Sequence, residues 1–433
     1  MANRASTQPR QEWRAHGLAM AEMLLTWRRW HHRKHEAIEF LDETVARRRV
    51  TIELTIPDIP PIPASLPYVY VPLAPLRKRT LPSFDLMVDG QHPVSMLARA
   101  AHEPLLTFTL FAAGLAELGS IPGDFQAQGA LYESCSSIVT LAPSEALSAI
   151  RVLERDNRFD RESDFLRLAH VLAGHLVVIV PLEYEAHRRH VVTFSYDERI
   201  GDPPLGLART IKTGAAWQSK PVWFRTALSG ASSYHLTVDA PASLHITRRA
   251  LITSDHRVAM LIGPPRQARY YHVPSTSISE GYALIHLRPL TSTSIRGAAC
   301  TGILGTLLLL ALGIAALTGS LHPSGNLAAQ ALLLFLPGLL SVLLIRPAEH
   351  PMATHMMFSV RMLTLVPGAA CLVGAVLIAT VGKGTTAMGI ALLALALACA
   401  TAAGVLAVTW RRCRFLKGAP IAESLPAHMY TDK

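Results

Sequence analysis

The hydrophobic pattern changes character two-thirds of the way along the chain. Upstream, apolar residues alternate with polar ones or recur at helical spacing. Downstream, four stretches contain no Lys, Arg, Asp or Glu: Gly297 to Leu321, Leu327 to Ile345, Met362 to Val381 and Thr385 to Trp410. Each reaches the ~20 residues that a helix needs to cross ~30 Å of hydrocarbon. The pattern therefore predicts an all-α four-helix transmembrane bundle over residues 296–417, followed by a polar tail over 418–433.

The upstream part reads as α+β. A helix is expected over Gln11 to Glu36, with Trp13, Met20, Leu24, Trp27 and His31 on one face and Arg14, Arg28, Arg29, Arg33 and Lys34 beside it. Rings and cations together suit the lipid headgroup region, which makes Trp13, Trp27, Arg28, Arg29 and Trp30 candidates for the membrane surface. Docking of the same stripe on the protein's own core is the competing expectation. Strict alternation from Val50 to Ile56 predicts a strand that closes an N-terminal segment, residues 1–56. Seven prolines over residues 57–75 predict an extended connector.

Residues 76–164 read as mainly helical, with helices around Ser95 to Leu118 and Ser144 to Glu154 and a boundary in the polar run Asp156 to Asp164. After a helix over Phe165 to Ala173, strand patterns follow at Leu176 to Leu182, Val191 to Tyr196, Val222 to Ala227, Tyr234 to Val238, Leu244 to Thr247, Val258 to Ile262, Tyr270 to Val273 and Tyr282 to Leu287. Short strands separated by Gly and Pro turns predict an antiparallel β-sandwich or barrel-like module over residues 165–295.

Charge orients the predicted bundle. Arg288, Arg296, Arg346, Arg361, Arg411, Arg412, Arg414 and Lys417 all fall on one side of the four stretches. On the other side, the loop Thr318 to Asn326 has no Lys or Arg, and the turn Gly382-Lys383-Gly384 has one. Because Lys and Arg collect on the cytoplasmic side, both termini and the soluble part are expected in the cytoplasm, at the plasma membrane. The apolar run Leu18 to Trp27 is interrupted by Glu22, too short to span, and followed by no small-residue cleavage site, so no secretory signal is expected. The formal charge of +10 divides evenly: eight basic and three acidic residues from Gly297 onward give +5, and the other +5 is spread over the soluble part. Half the excess is thus an orientation signal, which argues against a nucleic-acid partner.

Candidate chemistry is sparse. His31, His35 and Glu39 would share one helix face, but Arg33 and Lys34 among them favour a solvated basic face over a metal. His235, His245, His272 and His286 lie on separate strands without a close His-x-His pair, and Glu183, Glu185, His187 and His190 read as a solvated hairpin tip. Gly382-Lys383-Gly384-Thr385 connects two predicted spans and is no phosphate loop, Ser232-Ser233 completes no nucleophile elbow, and Cys135 has no local activating partner. Cys300, Cys371 and Cys399 fall inside predicted spans, leaving Cys135 and Cys413 too far apart to suggest a disulfide framework. No catalytic residue, metal ligand or cofactor site is assigned.

Within the spans no ionisable Asp, Glu, Lys or Arg occurs, which argues against coupled transport, where such groups bind or move the ion. Pro337-Gly338 and Pro367-Gly368 are kink candidates. Ala396, Ala400 and Gly404, with Ala370 and Gly374, are helix-packing candidates at four-residue spacing, within one chain or between copies in a homo-oligomer. The expectation is a non-enzymatic integral membrane protein, in contact with the lipid bilayer, whose cytoplasmic β-rich module binds a protein or small-molecule partner and is anchored or relayed through four helices. The alternative is an oligomeric channel or membrane-disrupting effector gated by that module.

Overall fold

In a computed structural model of the chain, the structure describes residues 8–58, 68–78, 81–90, 93–119, 125–155, 159–160, 162–183, 185, 187–200, 219–227, 231–253, 258–259, 264, 266–272, 280–289, 293–320, 327–343, 350–381 and 385–415. The N-terminal part is α+β. Helix α1 (Gln8–Leu25) and the single turn α2 (Trp27–Trp30) lead into strands β1 (His31–Phe40), β2 (Val45–Thr55), β3 (Tyr68–Arg77) and β4 (Asp85–Val88). Helices α3 (Arg99–Leu118), α4 (Phe125–Thr140), α5 (Pro143–Arg155) and α6 (Asp164–Gly174) follow. Ser163 caps α6 by accepting the Leu166 amide, which fixes where the polar boundary run turns helical.

Strands then continue as β5 (His175–Glu183), β6 (Arg189–Arg199), β7 (Lys220–Ala227), β8 (Ser233–Asp239), β9 (Leu244–Thr253), β10 (Val258–Ala259), β11 (Gln267–His272) and β12 (Glu280–Pro289). They form a six-stranded sheet in the order β11-β8-β1-β2-β6-β4, a four-stranded sheet β10-β9-β12-β7 and a β3-β5 ribbon. Among the described residues, neighbouring strands are antiparallel except β1 and β8, which run parallel. Each sheet keeps free edges there, so none closes into a barrel, and the barrel alternative is corrected.

The inner face of the six-stranded sheet carries two cores side by side. On one half, Val50, Ile52 and Leu54 of β2 and Phe194 of β6 pack with the β3-β5 ribbon and helices α1 and α3 to α6. On the other half, Ile38 and Phe40 of β1 and Tyr234, Leu236 and Val238 of β8 pack with Val222, Phe224, Ile246 and Ile285 of the four-stranded sheet. Phe40 and Phe224 touch across that gap with ring centroids 5.7 Å apart. The sheet-on-sheet packing of a sandwich therefore covers one half of the large sheet only.

Two expectations for the N-terminal part change, and a third gains a context. The helix expected to run to Glu36 ends at Leu25, and His31 begins a strand; the charged run His31 to Glu39 pairs with β2 and β8 at the centre of the large sheet. His31, His35 and Glu39 accordingly sit on a strand, not on a helix face. The proline-rich connector becomes β3 from Tyr68 onward, with Val69, Val71 and Leu73 buried. Pro72 and Pro75 are tolerated because β3 has a single hydrogen-bonded neighbour and a bulge between Pro72 and Ala74. Strand β2 lies between β1 and β6, which ties the first 56 residues to strands far along the chain.

The C-terminal part is all α: α7 (Thr293–Leu317), α8 (Leu327–Leu343), α9 (Pro351–Val381) and α10 (Thr386–Phe415). Among the described residues three helices, not four, are long and apolar enough to cross a membrane, namely those containing Ile295–Leu317, Pro351–Val381 and Thr386–Arg411. The four-span expectation is corrected at α8, whose 17 residues rise about 26 Å, short of ~30 Å of hydrocarbon. The apolar stretch counted in the sequence runs on past the described end of that helix. Leu307, Leu332, Leu333, Val376 and Leu397 are 54–68% exposed, an apolar exterior that suits lipid.

Helix direction follows from contacts. Ile295, Ala298 and Ala299 of α7, Val360 of α9 and Leu406 of α10 form one buried cluster at the end of the bundle beside the β-sheets. There the Arg296 guanidinium lies over the Trp410 ring at 5.8 Å. At the other end Gly313 and Gly389 face Leu393 and Leu317. Helices α7 and α9 thus both leave from the sheet end and α10 returns to it. Helix α8 is antiparallel to α9, with Leu334 near Gly374 and Ser341 near Gly368.

Candidate functional site at the seam between two cores

The seam between the two cores is built from charge. Along β1 the inward positions are Lys34, Glu36, Ile38 and Phe40, so the alternation that buries Phe40 also buries two ions. Lys34, Glu36 and Arg48 are 5%, 2% and 5% exposed. Glu36 is the hub: its carboxylate meets Lys34 Nζ at 2.8 Å and Arg48 Nη1 at 3.3 Å. The Tyr234 hydroxyl donates to Glu36 Oε2 at 2.9 Å. Arg48 Nη2 also lies 2.7 Å from Glu198 Oε2. Backbone carbonyls of β7 complete the set, with Lys34 Nζ donating to Ala227 O at 2.9 Å and Arg48 Nη2 to Arg225 O at 2.7 Å.

Burial pushes the Glu36 carboxyl up, but Lys34 and Arg48 more than offset it and hold the group below its ordinary value. Burial likewise opposes charge on Arg48, yet Tyr196, Glu36 and Glu198 raise the guanidinium above its ordinary value and keep it protonated. Burial and the Glu36 charge raise the Tyr234 phenol, which stays a neutral donor. Two cations against two carboxylates make the cluster self-compensating, the condition under which buried ions are tolerated.

A cavity of ≈ 60 Å³ opens beside the cluster, lined by Lys34, Glu36, Arg48 and Glu198, with Arg77 and His175 from the β3-β5 ribbon and Arg225 from β7. All three sheets contribute to it. Burial holds His175 below its ordinary value; the bond to the Val171 carbonyl opposes this, and the Arg77 and Lys78 charges reinforce it.

The second feature is the junction with the membrane-type helices. Met352, Ala353 and Met356, in the first turns of α9, are buried in the same core as Phe40, Phe224 and Leu244. His350 Nε2 donates to Phe40 O at 2.8 Å while its Nδ1 accepts the Met352 amide at 3.2 Å, which fixes the tautomer. His355 Nδ1 lies 2.8 Å from Glu43 on the β1-β2 turn. Asp42 shapes that turn by accepting the Thr44 and Val45 amides, and those bonds, chiefly the Thr44 one, hold its carboxyl below the ordinary range. Helix α9 is therefore one continuous element with its first turns in the sheet core and the remainder among apolar helices.

The candidates named from the sequence are dispersed. Trp30 is 2% exposed and its Nε1 donates to Met23 O, so this ring packs in the protein's core. Trp27 is partly buried against the same core, Arg29 is exposed, and the Trp13 side chain lies outside the described residues. Arg28 and Arg29 adjoin the His31 end of β1, about 30 Å along the strand from Phe40. In the bundle, Ala370, Gly374 and Ala396 are buried, while Ala400 and Gly404 turn outward. Gly338 faces Leu372 and the Gly368 carbonyl, and a Cβ added to Gly368 would stand 3.0 Å from Ser341 Cβ, so the two Pro-Gly pairs lie against each other.

His235 and His272 belong to the six-stranded sheet, His245 and His286 to the four-stranded one. His235 lies beside His35, and His286 Nδ1 is 3.0 Å from Ser219 Oγ. Among the described residues no three His, Cys, Asp or Glu side chains come together as a metal site. Burial pushes the Cys135 thiol up to about 12, which suppresses the reactive thiolate. The turn 382–384 lies outside the described residues.

Sequence reasoning missed Lys34, Glu36, Arg48 and Glu198 as a group. The available signal is the alternation in Lys34-x-Glu36-x-Ile38-x-Phe40, whose inward face starts with ions instead of apolar residues. No protein-family model matches this chain, and no curated protein shows significant similarity to it.

Proposed function

We propose that the protein is a non-enzymatic membrane relay: its β-rich module binds a ligand or partner at the charged seam, and α9 passes the bound state to the apolar helices. The supporting observation is the continuity of α9, whose Met352, Ala353 and Met356 are core residues of the module while the same helix continues to Val381. A packed core transmits displacement because it has little free volume to absorb it. The seam is the natural input, since a ligand there touches β1, whose far end holds His350.

In this reading the sheet end of the bundle, to which Arg288, Arg296, Arg361 and Arg411 belong, faces the cytoplasm at the plasma membrane. The test is hydrogen exchange on the full chain in lipid nanodiscs. Met352→Asp, which buries an unpaired carboxylate, should speed exchange both in β7 and β12 and in α9 beyond Val360. A change confined to the module would sink the relay.

An oligomeric channel is the second reading, favoured by the outward Ala400 and Gly404 on α10, where a small-residue strip lets a second copy approach closely. Native mass spectrometry from nanodiscs decides between them: a closed oligomer dispersed by Gly404→Leu supports the channel, and a monomer excludes it.

A further inference from the structure

We infer that the junction between the module and α9 is a proton-operated latch whose moving part is the His350 ring. This rests on the relay reading and deepens it by naming what engages and releases the relay. His350 caps α9: its carbonyl accepts the Thr354 amide at 3.1 Å, its Nδ1 accepts the Met352 amide at 3.2 Å, and Pro351 fills the first helical position, where no amide donor is needed. The same ring donates from Nε2 to Phe40 O at 2.8 Å, so one side chain holds both the end of β1 and the start of α9. Helix caps of this kind are usually Ser, Thr, Asp or Asn, whose acceptors persist at near-neutral pH. An imidazole acceptor does not, because histidine is the side chain that gains its proton between about pH 8 and 5.

Both bonds of the ring hold only while it is neutral. A proton on Nδ1 turns the acceptor into a donor aimed at the Met352 N–H and sets a positive charge at the positive end of the helix dipole. The charged ring has a second place to go. Asp42 on the β1-β2 turn is close enough for the His350 charge to act on its carboxyl. Among the described residues it uses Oδ1 alone, for the Thr44 and Val45 amides and the Thr44 hydroxyl, which leaves Oδ2 for an imidazolium. Of the other ionisable groups at the junction, Glu43 is paired with His355 of α9, and Glu39 faces the outer side of the sheet toward Arg47. The four-stranded sheet contributes Phe224 and Leu244 to the core that holds Met352 and Met356. The His355–Glu43 pair strengthens when His355 charges, the opposite sense to His350, but both partners are exposed and the gain is small. The latch is therefore closed with a neutral His350 and open once the ring is protonated.

The test is hydrogen exchange on the full chain in nanodiscs at about pH 8 and about pH 5.5, with rates corrected for the intrinsic effect of pH. Protection of the Met352 to Met356 amides should fall about tenfold at the lower pH. Protection in β2 should hold, because the Glu36 carboxyl lies below its ordinary 4.5 and stays charged. His350→Gln presents an amide that can donate to Phe40 O and accept the Met352 N–H but takes up no proton, so it should keep its protection at both pH values. Asp42→Asn keeps the turn acceptor and removes the carboxylate, so release should need a lower pH, which tests the latch even where the glutamine variant folds poorly. Parent protection that is equal at the two pH values, or a His350→Gln or Asp42→Asn variant that loses protection as the parent does, would overturn the inference. Release of the first turns that leaves exchange in α9 beyond Val360 unaltered would instead sustain the latch and defeat the relay.

Discussion

Glu36 is the residue on which most of the seam depends. It is the common partner of Lys34, Arg48 and Tyr234, and removing one member of a buried ionic set leaves the rest uncompensated. Glu36→Gln should therefore lower the unfolding free energy by about 3 kcal/mol, read by chemical denaturation. Its folded carboxyl lies below the ordinary 4.5, so its contribution is complete above that pH and disappears as pH falls through the folded value. His102, whose Nε2 lies 2.7 Å from Val177 O, is held below 6.5 chiefly by burial and adds a loss with the same sign, beginning as pH drops under 6.5. The protein should thus be destabilised by acid, and the Glu36→Gln variant should show a shallower decline below about pH 4.5. An unchanged slope would mean that Glu36 titrates as it does in the unfolded chain.

At the scale of elements, what the sequence displays depends on what each element buries. Strands β6 to β9, β11 and β12 bury mostly aliphatic or aromatic side chains on one face, and β5 is apolar almost throughout, so all of them are legible. Strand β1 buries Lys34 and Glu36 and reads as the tail of a basic helix, because its alternation is ionic for half its length. Strand β3 is hidden by Pro72 and Pro75, which local preference assigns to a connector and the edge of a ribbon accommodates. The uncharged runs of α7, α9 and α10 are plain, but α9 begins eleven residues before its expected start, since Met352, Ala353 and Met356 are followed by Arg361 and the apolar count restarts after it. The seam itself is illegible, because Glu36, Arg48, Glu198 and Arg225 are brought together only by sheet pairing and packing. Helix α7 packs on α9 and α10 through missing side chains: a Cβ on Gly305 would stand 2.7 Å from Cys371 Sγ and 3.4 Å from Cys399 Sγ. Gly305→Leu should therefore separate α7 from both helices and reduce thermal stability in nanodiscs, whereas Gly404→Leu, with open space around it, should leave monomer stability unchanged.

For the whole molecule, the arrangement joins two solvents through one helix. The module's two cores share a sheet, their common boundary is charged, and the core on the α9 side holds the first turns of a helix whose later turns belong among apolar helices. The outward-facing leucines and valines of the bundle suit lipid, and the arginines at its sheet end give the proposed orientation. The central claim is that module and bundle move as one body through α9. Pulsed electron resonance between spin labels at Glu39, exposed on β1, and Val381, at the far end of α9, in nanodiscs measures this directly. A rigid α9 predicts one narrow distance distribution, about 5 Å wide or less, that shifts as a unit when the seam is occupied; a distribution broader than ~10 Å would show a hinge between module and bundle and contradict the relay.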